Sequence, residues 1–154
     1  MQITEELLSG VALLSVHIRE LLFLDNPEET GRAKRPTTDI NIEFETSVSA
    51  DGLDGRARIR VTITPHKPSV AFREIVASVE GHFRAVEGAA AMPMAEFLDK
   101  QGAVILMPFA RDAVVTATQK SRFGAFLLQP INVAAMLQRL ERETRPDKTE
   151  STSG

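Results

Sequence analysis

Two stretches of strictly alternating apolar and polar residues constrain the fold of this chain more than any other feature. Residues 40–45 read Ile-Asn-Ile-Glu-Phe-Glu, and residues 58–63 read Arg-Ile-Arg-Val-Thr-Ile. An alternation with a period of two is typical of β-strands that have one buried face. Because the Asp-Gly pairs at 51–52 and 54–55 are turn signals, the two stretches predict a β-hairpin.

The charges on the two stretches predict the register of this hairpin. If the hairpin is centred between residues 51 and 52, Glu45 lies opposite Arg58 and Glu43 lies opposite Arg60. Opposite charges that face each other across two strands on the solvated side stabilise the pairing. We therefore expect both pairs in the structure.

Two further strands accompany the hairpin. The sequence predicts a strand over 16–24 and a long strand over 70–86, while the polar stretch over 25–37 has the composition of a crossover loop. Gly81 lies inside the long strand, where a glycine marks a bulge or a close approach of another backbone. We expect an α+β fold with a Greek-key-like, four-stranded antiparallel sheet. One face of this sheet is apolar and must be covered by helices.

The two ends of the chain also carry structural signals. An apolar period predicts an N-terminal helix over 4–14 and a last helix over 132–143, which Asn132 can cap. The residues beyond this helix are small and polar, which is typical of a disordered tail. We expect a single domain over 1–145 and a tail over 146–154.

The segment between the sheet and the last helix is apolar but has no clean period at first. Residues 87–107 predict an apolar loop with a short helix near 94–100. Pro108 favours the first position of a further helix. That helix has a stripe of small side chains, which suits close packing, formed by Ala110, Ala113, Ala117 and Ser121.

Composition excludes several classes of protein. The chain has 43% hydrophobic residues, a net charge of −3 and no cysteine. Such a chain has no basic footprint for nucleic acid and no disulfide scaffold. There is no apolar run long enough for membrane insertion and no signal peptide. We therefore expect a cytoplasmic protein.

The sequence offers no convincing catalytic constellation. Its three histidines, His17, His66 and His82, do not have the spacing of metal ligands, and no glycine-rich phosphate loop is present. We expect a protein that is not an enzyme and uses no cofactor. A small-ligand-binding domain or a hot-dog-like acyl-thioester enzyme is the alternative of another class, with Asp112 as its candidate carboxylate.

Four of the five methionines follow the predicted sheet, namely Met92, Met94, Met107 and Met136. Methionine suits irregular core packing and also promiscuous apolar surfaces. Both interpretations stay open, although the predicted loop position of Met92 and Met94 favours a surface.

Several motifs resemble the SecB family of bacterial export chaperones. Residues 105–112, Ile-Leu-Met-Pro-Phe-Ala-Arg-Asp, resemble the family's Ile-Leu-Phe-Pro-Tyr-Ala-Arg-Glu run. Residues 128–132, Leu-Gln-Pro-Ile-Asn, look like its Leu-Ala-Pro-Val-Asn at a similar spacing. Residues 58–64 look like its second hairpin strand, and residues 81–83 resemble its Gly-Ile-Phe. The resemblance extends over about 16–140.

The resemblance implies an ATP-independent chaperone. SecB proteins hold unfolded polypeptides in apolar grooves between sheet and helices, and they form homotetramers, as dimers of dimers, through the long helix and the sheet edges. On this chain the assembly interface falls on 108–122, in agreement with the stripe of small side chains. The client-binding groove falls on Phe83, Met92, Met94, Phe97, Met136, Leu137 and Leu140.

The resemblance also bears on partners. SecB proteins dock the motor SecA through acidic residues on the sheet. Glu20 matches one such position, Asp25 lies beside a position that is Leu24 here, and Glu74 lies near a third. We therefore expect a holdase for unfolded polypeptides in protein export. Because the N-terminal helix resembles SecB-like chaperones of toxin–antitoxin systems, a chaperone dedicated to an antitoxin is the alternative.

Overall fold

A four-stranded antiparallel sheet forms one layer of the structure, a computed structural model that describes residues 10–27, 37–66, 72–88 and 92–144. The strands are β1 (Val11–Asp25), β2 (Thr38–Val48), β3 (Asp54–Pro65) and β4 (Phe72–Ala85). Their order across the sheet is β1-β4-β3-β2, so β1 and β2 are the edge strands. The connection from β1 to β2 joins opposite edges, which confirms the predicted Greek-key arrangement.

The β2–β3 hairpin has the register that the charges predict. Glu45 lies opposite Arg58, and Glu43 lies opposite Arg60. The pairing continues without interruption from Thr38 to Val48. The prediction is confirmed because the charge pattern and the apolar alternation both require the same register.

The loop of this hairpin is organised by one carboxylate. Asp51 accepts hydrogen bonds from the Ser49 hydroxyl at 2.5 Å and from the Leu53 backbone N–H at 3.0 Å. These bonds, that of Ser49 first, lower the pKa of Asp51. Gly52 has a φ of +73°, a left-handed conformation that glycine adopts without steric cost.

Strand β1 corrects the prediction of a helix over 4–14. Residues 11–14 belong to the strand, and residues 4–9 lie outside the described residues. Register shifts against β4 leave Leu14 and Arg19 as extra residues. Each bulge adds one residue, so neighbouring residues on one face of the strand are three positions apart in the sequence instead of two. Their spacing then resembles that of a helix face. That face carries Leu13, Val16, Ile18, Leu21 and Phe23.

Two other predictions fall on residues that are not described. They are the central part of the crossover loop, 28–36, and the tail, 146–154.

The core lies between a helix layer and one face of the sheet, which we call the helix side. It is formed chiefly by buried residues of β3 and β4, namely Ala57, Ile59, Val61, Ile63, Ile75, Ala77, Val79 and Phe83. The helix layer consists of α1 (Met94–Phe97), a π-helical turn over 98–102, α2 (Ala103–Thr118) and α3 (Val133–Thr144). A Cβ atom at Gly81 would lie 2.8 Å from Leu106 Cδ2. Gly81 therefore marks a close approach of α2 to β4, one of the two predicted roles.

Helix α2 begins earlier than the sequence predicts. Pro108 lies inside α2 rather than at its first position, and residues 101–107 are helical rather than part of an apolar loop. Proline deprives the carbonyl four residues earlier of its helical donor. Because Pro108 and Val104 are both exposed, solvent can satisfy that carbonyl. The predicted short helix near 94–100 is confirmed by α1.

A segment without helix or strand, residues 124–131, precedes the last helix. The Thr118 hydroxyl accepts a hydrogen bond of 2.7 Å from the Phe126 N–H and so fixes where this segment leaves α2. The Asn132 side-chain oxygen accepts a bond of 3.0 Å from the Ala135 N–H, which confirms the predicted cap of α3. Helix α3 then packs on α2.

Candidate functional site

The helix layer leaves the edges of the sheet open on the helix side. Ile18 on β1 and Ile40 on β2 are 49% and 42% exposed, although they lie on the same face of the sheet as the buried residues of β3. The sequence pattern alone predicts that these residues belong to the core. Only the strand order, which puts β1 and β2 at the edges, reveals that they are surface residues.

Three of the predicted groove residues are buried in the core instead of lining an open groove. Phe83, Met94 and Phe97 are 1%, 4% and 4% exposed, and the rings of Phe83 and Phe97 meet at 6.0 Å. The position of Met94 in α1 explains this, since the predicted loop around it is helical and packs on the sheet. These residues are unavailable to a ligand without a rearrangement.

The other four predicted groove residues are partly exposed. Met92 packs against the edge of the core just before α1. Met136, Leu137 and Leu140 share one half-buried face of α3. The apolar surface that remains available is therefore on α3 and beside α1.

Two of the four residues in the predicted assembly stripe are buried, and two are not. Ala110 and Ala113 are buried against the chain's own sheet, which explains their small size and makes them unavailable to another subunit. Ala117 is partly exposed, and Ser121 lies beyond the end of α2. The outward side of α2 exposes larger apolar residues instead, Val104 and Phe109.

An open cavity of about 500 Å³ lies between α2 and the extended segment that precedes α3. Its walls are formed by Pro108, Arg111, Asp112, Val115, Leu127, Leu128, Gln129 and Pro130. Asp112, the candidate carboxylate of the enzyme alternative, is exposed there and makes no hydrogen bond or ion pair with the described part of the chain. The cavity thus brings no second catalytic group to Asp112.

The other face of the sheet, which we call the outer face, carries rows of charges that alternate in sign across the strands. In one row Arg60 on β3 donates to Glu43 on β2 at 3.1 Å and to Glu20 on β1 at 2.6 Å, passing over Ser78 of β4. The hydrogen bond to Glu20, followed by that to Glu43, raises the pKa of Arg60. Arg60 therefore links both edge strands.

A second row lies beside the first. Arg58 on β3 is 3.6 Å from Glu45 of β2 and lies opposite Glu80 of β4. Glu80 in turn is 3.5 Å from His17 of β1. Opposite charges on neighbouring strands stabilise a sheet modestly, so these rows also fix the register on the solvated face.

The predicted motor-docking acids do not form one open acidic patch. Glu20 and Glu74 lie on the outer face, but the Glu20 carboxylate is engaged by Arg60. Asp25 accepts a bond of 3.3 Å from Arg122, which also donates to the Asn26 carbonyl at 2.8 Å. Asp25 therefore ties the end of β1 to the segment after α2.

The histidines lie apart from one another, and each meets one carboxylate. His17 is 3.5 Å from Glu80, His66 is 3.2 Å from Asp39, and His82 is 3.1 Å from Asp54. Within the described ranges, no group of three or more histidine, aspartate and glutamate residues could hold a metal ion. In the same ranges, none of the helices has the length and apolarity that a membrane crossing requires.

This geometry defines a small α+β protein whose described residues leave apolar surface and strand edges exposed. The model of the SecB family, described as preprotein translocase subunit SecB, matches residues 6–144. The chain belongs to the SecB family. SecB proteins are chaperones, and membership gives this chain a chaperone role.

A solved structure shows the same fold. A SecB-like chaperone of Mycobacterium tuberculosis, in complex with a ChAD peptide from the HigA1 antitoxin, matches with a TM-score of 0.60 and 15% identity. The match covers 80% of this chain and 88% of that chain. A protein of unknown function from Streptococcus agalactiae matches with a TM-score of 0.45 and 12% identity, over 78% and 97% of the two chains. The comparison with curated protein sequences gives no match.

Replacement of a buried and of a half-buried groove residue should have different effects. Phe97→Ala should lower the free energy of unfolding by about 3–5 kcal/mol, because it opens a cavity beside Phe83. Leu140→Ala, on the half-buried face of α3, should cost about 1 kcal/mol or less. Chemical denaturation of both variants measures the difference, and equal losses would contradict the core position of Phe97.

Proposed function

We propose that the protein is an ATP-independent holdase that binds unfolded polypeptides through its helix side. The observation that carries the proposal is the apolar surface left open at both sheet edges and on the helix layer, where Ile18, Ile40 and Leu127 are 49%, 42% and 55% exposed. Burial of such surface stabilises a complex by about 25 cal/mol per Å² before the costs of ordering are subtracted. Binding of this kind needs no nucleotide.

The apolar face of α3 is the adaptable part of the proposed client site. Met136, Leu137 and Leu140 are partly exposed, and α3 packs on α2. Met92 adds a second methionine beside α1. Methionine side chains adjust to different partners, which suits a site for many sequences.

The wild-type protein should suppress the aggregation of a chemically unfolded client at stoichiometric amounts without nucleotide. Light scattering after dilution from denaturant measures this. Leu137→Ser/Leu140→Ser should suppress less, because it removes apolar contact area from α3. Ala134→Ser/Gln138→Ser is the matched control on the exposed face of the same helix and should act like the wild type. No suppression by the wild-type protein would exclude a holdase.

We further propose a homotetramer built as a dimer of dimers. Strand β1 supports this, because it exposes large apolar residues on both of its faces, Ile18 and Leu21 on the helix side and Leu22 and Leu24 on the outer face. An edge strand that is apolar on both faces is a liability unless another chain covers it. The exposed side of α2 supplies a second contact through Val104 and Phe109.

Native mass spectrometry should show a particle of four chains, each of 16.9 kDa. Ile18→Asp should shift this to smaller species, since it places a charge in the proposed β1 contact. Leu53→Asp is the matched control, because Leu53 is 43% exposed in the hairpin loop, away from β1 and α2. A monomeric wild-type protein, or an equal effect of both variants, would refute this assembly.

Two cytoplasmic roles fit a holdase of this family. Protein export with SecA as partner is the role that the family description supports. A specific observation favours the second candidate, a chaperone dedicated to an antitoxin. The carboxylates of Glu20 and Asp25 are engaged by Arg60 and Arg122 and so do not form a free acidic patch for a motor.

A binding titration with purified SecA separates the two roles. In export, SecA binds, and Glu20→Gln/Glu74→Gln weakens the complex by removing two charges from the outer face. In the dedicated role, SecA does not bind, and one antitoxin co-purifies with the protein from its own cells. Glu141→Gln/Glu143→Gln on α3 removes the same charge elsewhere and serves as the control.

A further inference from the structure

We infer that the open cavity beside α2 binds a small zwitterion with an apolar side chain, of which a free amino acid such as leucine is the simplest example. The inference goes beyond the proposed holdase function, because it concerns a small molecule and a site formed by α2 and the segment that follows it. It is carried by three features of the cavity walls: two opposite charges without partners, backbone groups without partners, and apolar side chains beside both.

The first feature is a pair of opposite charges. Arg111 and Asp112 both line the cavity, and among the described residues no other charged side chain forms its walls. Arg111 is partly buried and Asp112 is exposed, and neither makes a hydrogen bond or an ion pair with the described part of the chain. A ligand with a carboxylate and an ammonium group matches this pair. A simple anion or cation would be attracted by one charge and repelled by the other.

The second feature is a short stretch of backbone without partners, residues 127–129. Within the described ranges, these residues neither donate nor accept a hydrogen bond. Leu128 is 3% exposed and anchors the stretch in the core, whereas Leu127 and Gln129 on either side of it are exposed. Their backbone groups are therefore available along the cavity wall. An N–H can donate to the carboxylate of an amino acid, and a C=O can accept from its ammonium group.

The third feature is the apolar lining. Pro108 and Val115 of α2 line the cavity together with Leu127 and Pro130 of the following segment. The volume of about 500 Å³ lies within the range of about 300–1,000 Å³ that is usual for small-ligand sites. Burial of an apolar side chain against these walls adds to the polar contacts. The cavity therefore favours leucine over an amino acid without a side chain.

Three related ligands test the match of charges on the full-length protein by isothermal titration calorimetry. L-Leucine should bind with a dissociation constant in the millimolar range, since partly exposed ion pairs contribute modestly. N-acetyl-L-leucine lacks the positive charge and L-leucinamide lacks the negative charge, so each should bind about fivefold more weakly. No binding of L-leucine, or equal binding of all three ligands, would overturn the inference.

Glycine tests the apolar walls, because it has both charges and no side chain. It should bind about tenfold more weakly than L-leucine, since it buries no apolar surface. Glycine binding as tight as that of L-leucine would refute a site that selects an apolar side chain.

Two variants assign the charges to their residues. Arg111→Gln should weaken the binding of L-leucine about fivefold and leave that of L-leucinamide unchanged, because the amide has no carboxylate. Asp112→Asn should weaken L-leucine by a similar factor and leave N-acetyl-L-leucine unchanged. Arg139→Gln/Glu143→Gln removes an ion pair of 3.3 Å from the exposed face of α3 and is the control. If the control weakens binding as much as the other two variants, the cavity is not the site.

Native mass spectrometry separates this ligand from a second copy of the chain, the other occupant that could match both charges. Arg111→Gln and Asp112→Asn should assemble like the wild type, since these charges serve a small ligand. If both variants lose assembly and L-leucine does not bind to the wild-type protein, Arg111 and Asp112 belong to a contact between subunits. The inference would then be wrong.

Discussion

The packing of a single long helix on a four-stranded sheet is the constraint on which the rest of the structure depends. The edge strands of such a sheet are about 14 Å apart, whereas a helix with its side chains is about 10 Å wide. Helix α2 approaches the centre of the sheet closely because β4 has Gly81 beneath Leu106. It therefore buries the helix-side residues of β3 and β4 and leaves the apolar residues of the edge strands partly open. The apolar surface of the chaperone stays exposed at the sheet edges because one helix is narrower than the sheet.

The two edges differ, and the difference gives them different uses. Strand β1 is irregular and exposes apolar side chains on both faces, so it suits burial by another subunit. Strand β2 is regular, with one partly open apolar face and one acidic face. That combination suits a transient partner, because charged side chains keep an unoccupied edge from associating with itself.

The sequence predicts the parts of this fold in which local and long-range preferences agree. The hairpin register follows from Glu43 and Arg60, and the start of α3 follows from Asn132, because in both cases neighbouring residues and tertiary partners favour the same geometry. The first part of β1 is predicted as a helix because Val11, Leu14 and Ile18 have a helical spacing, although Leu14 is an extra residue at a bulge of the strand. The sequence predicts the start of α2 at Pro108, which is too late. A proline at an exposed position can lie inside a helix when tertiary packing holds the helical residues before and after it.

The candidate site was harder to predict than the fold. Apolar residues of the core and of an open surface have the same local pattern, so the sequence does not separate Phe97, which is buried, from Leu140, which is partly exposed. The strand order separates Ile18 from Ile59, and it depends on a long-range pairing that local patterns do not encode. The charges of the outer face were visible in the sequence, but their alternation across four strands became apparent only with the register.

The pairing of β1 with β4 has a consequence for how the chain is made. Synthesis begins at the N-terminus, so β1 leaves the ribosome before any of its pairing partner, which begins at Phe72 and ends at Ala85. The hairpins of β2, β3 and β4 connect neighbouring segments and close short loops, whereas β1 must wait for the far side of the sheet. During this interval the nascent chain carries an unpaired strand that is apolar on both faces. A newly made molecule of this chaperone is therefore, for a short time, itself a polypeptide with exposed apolar segments.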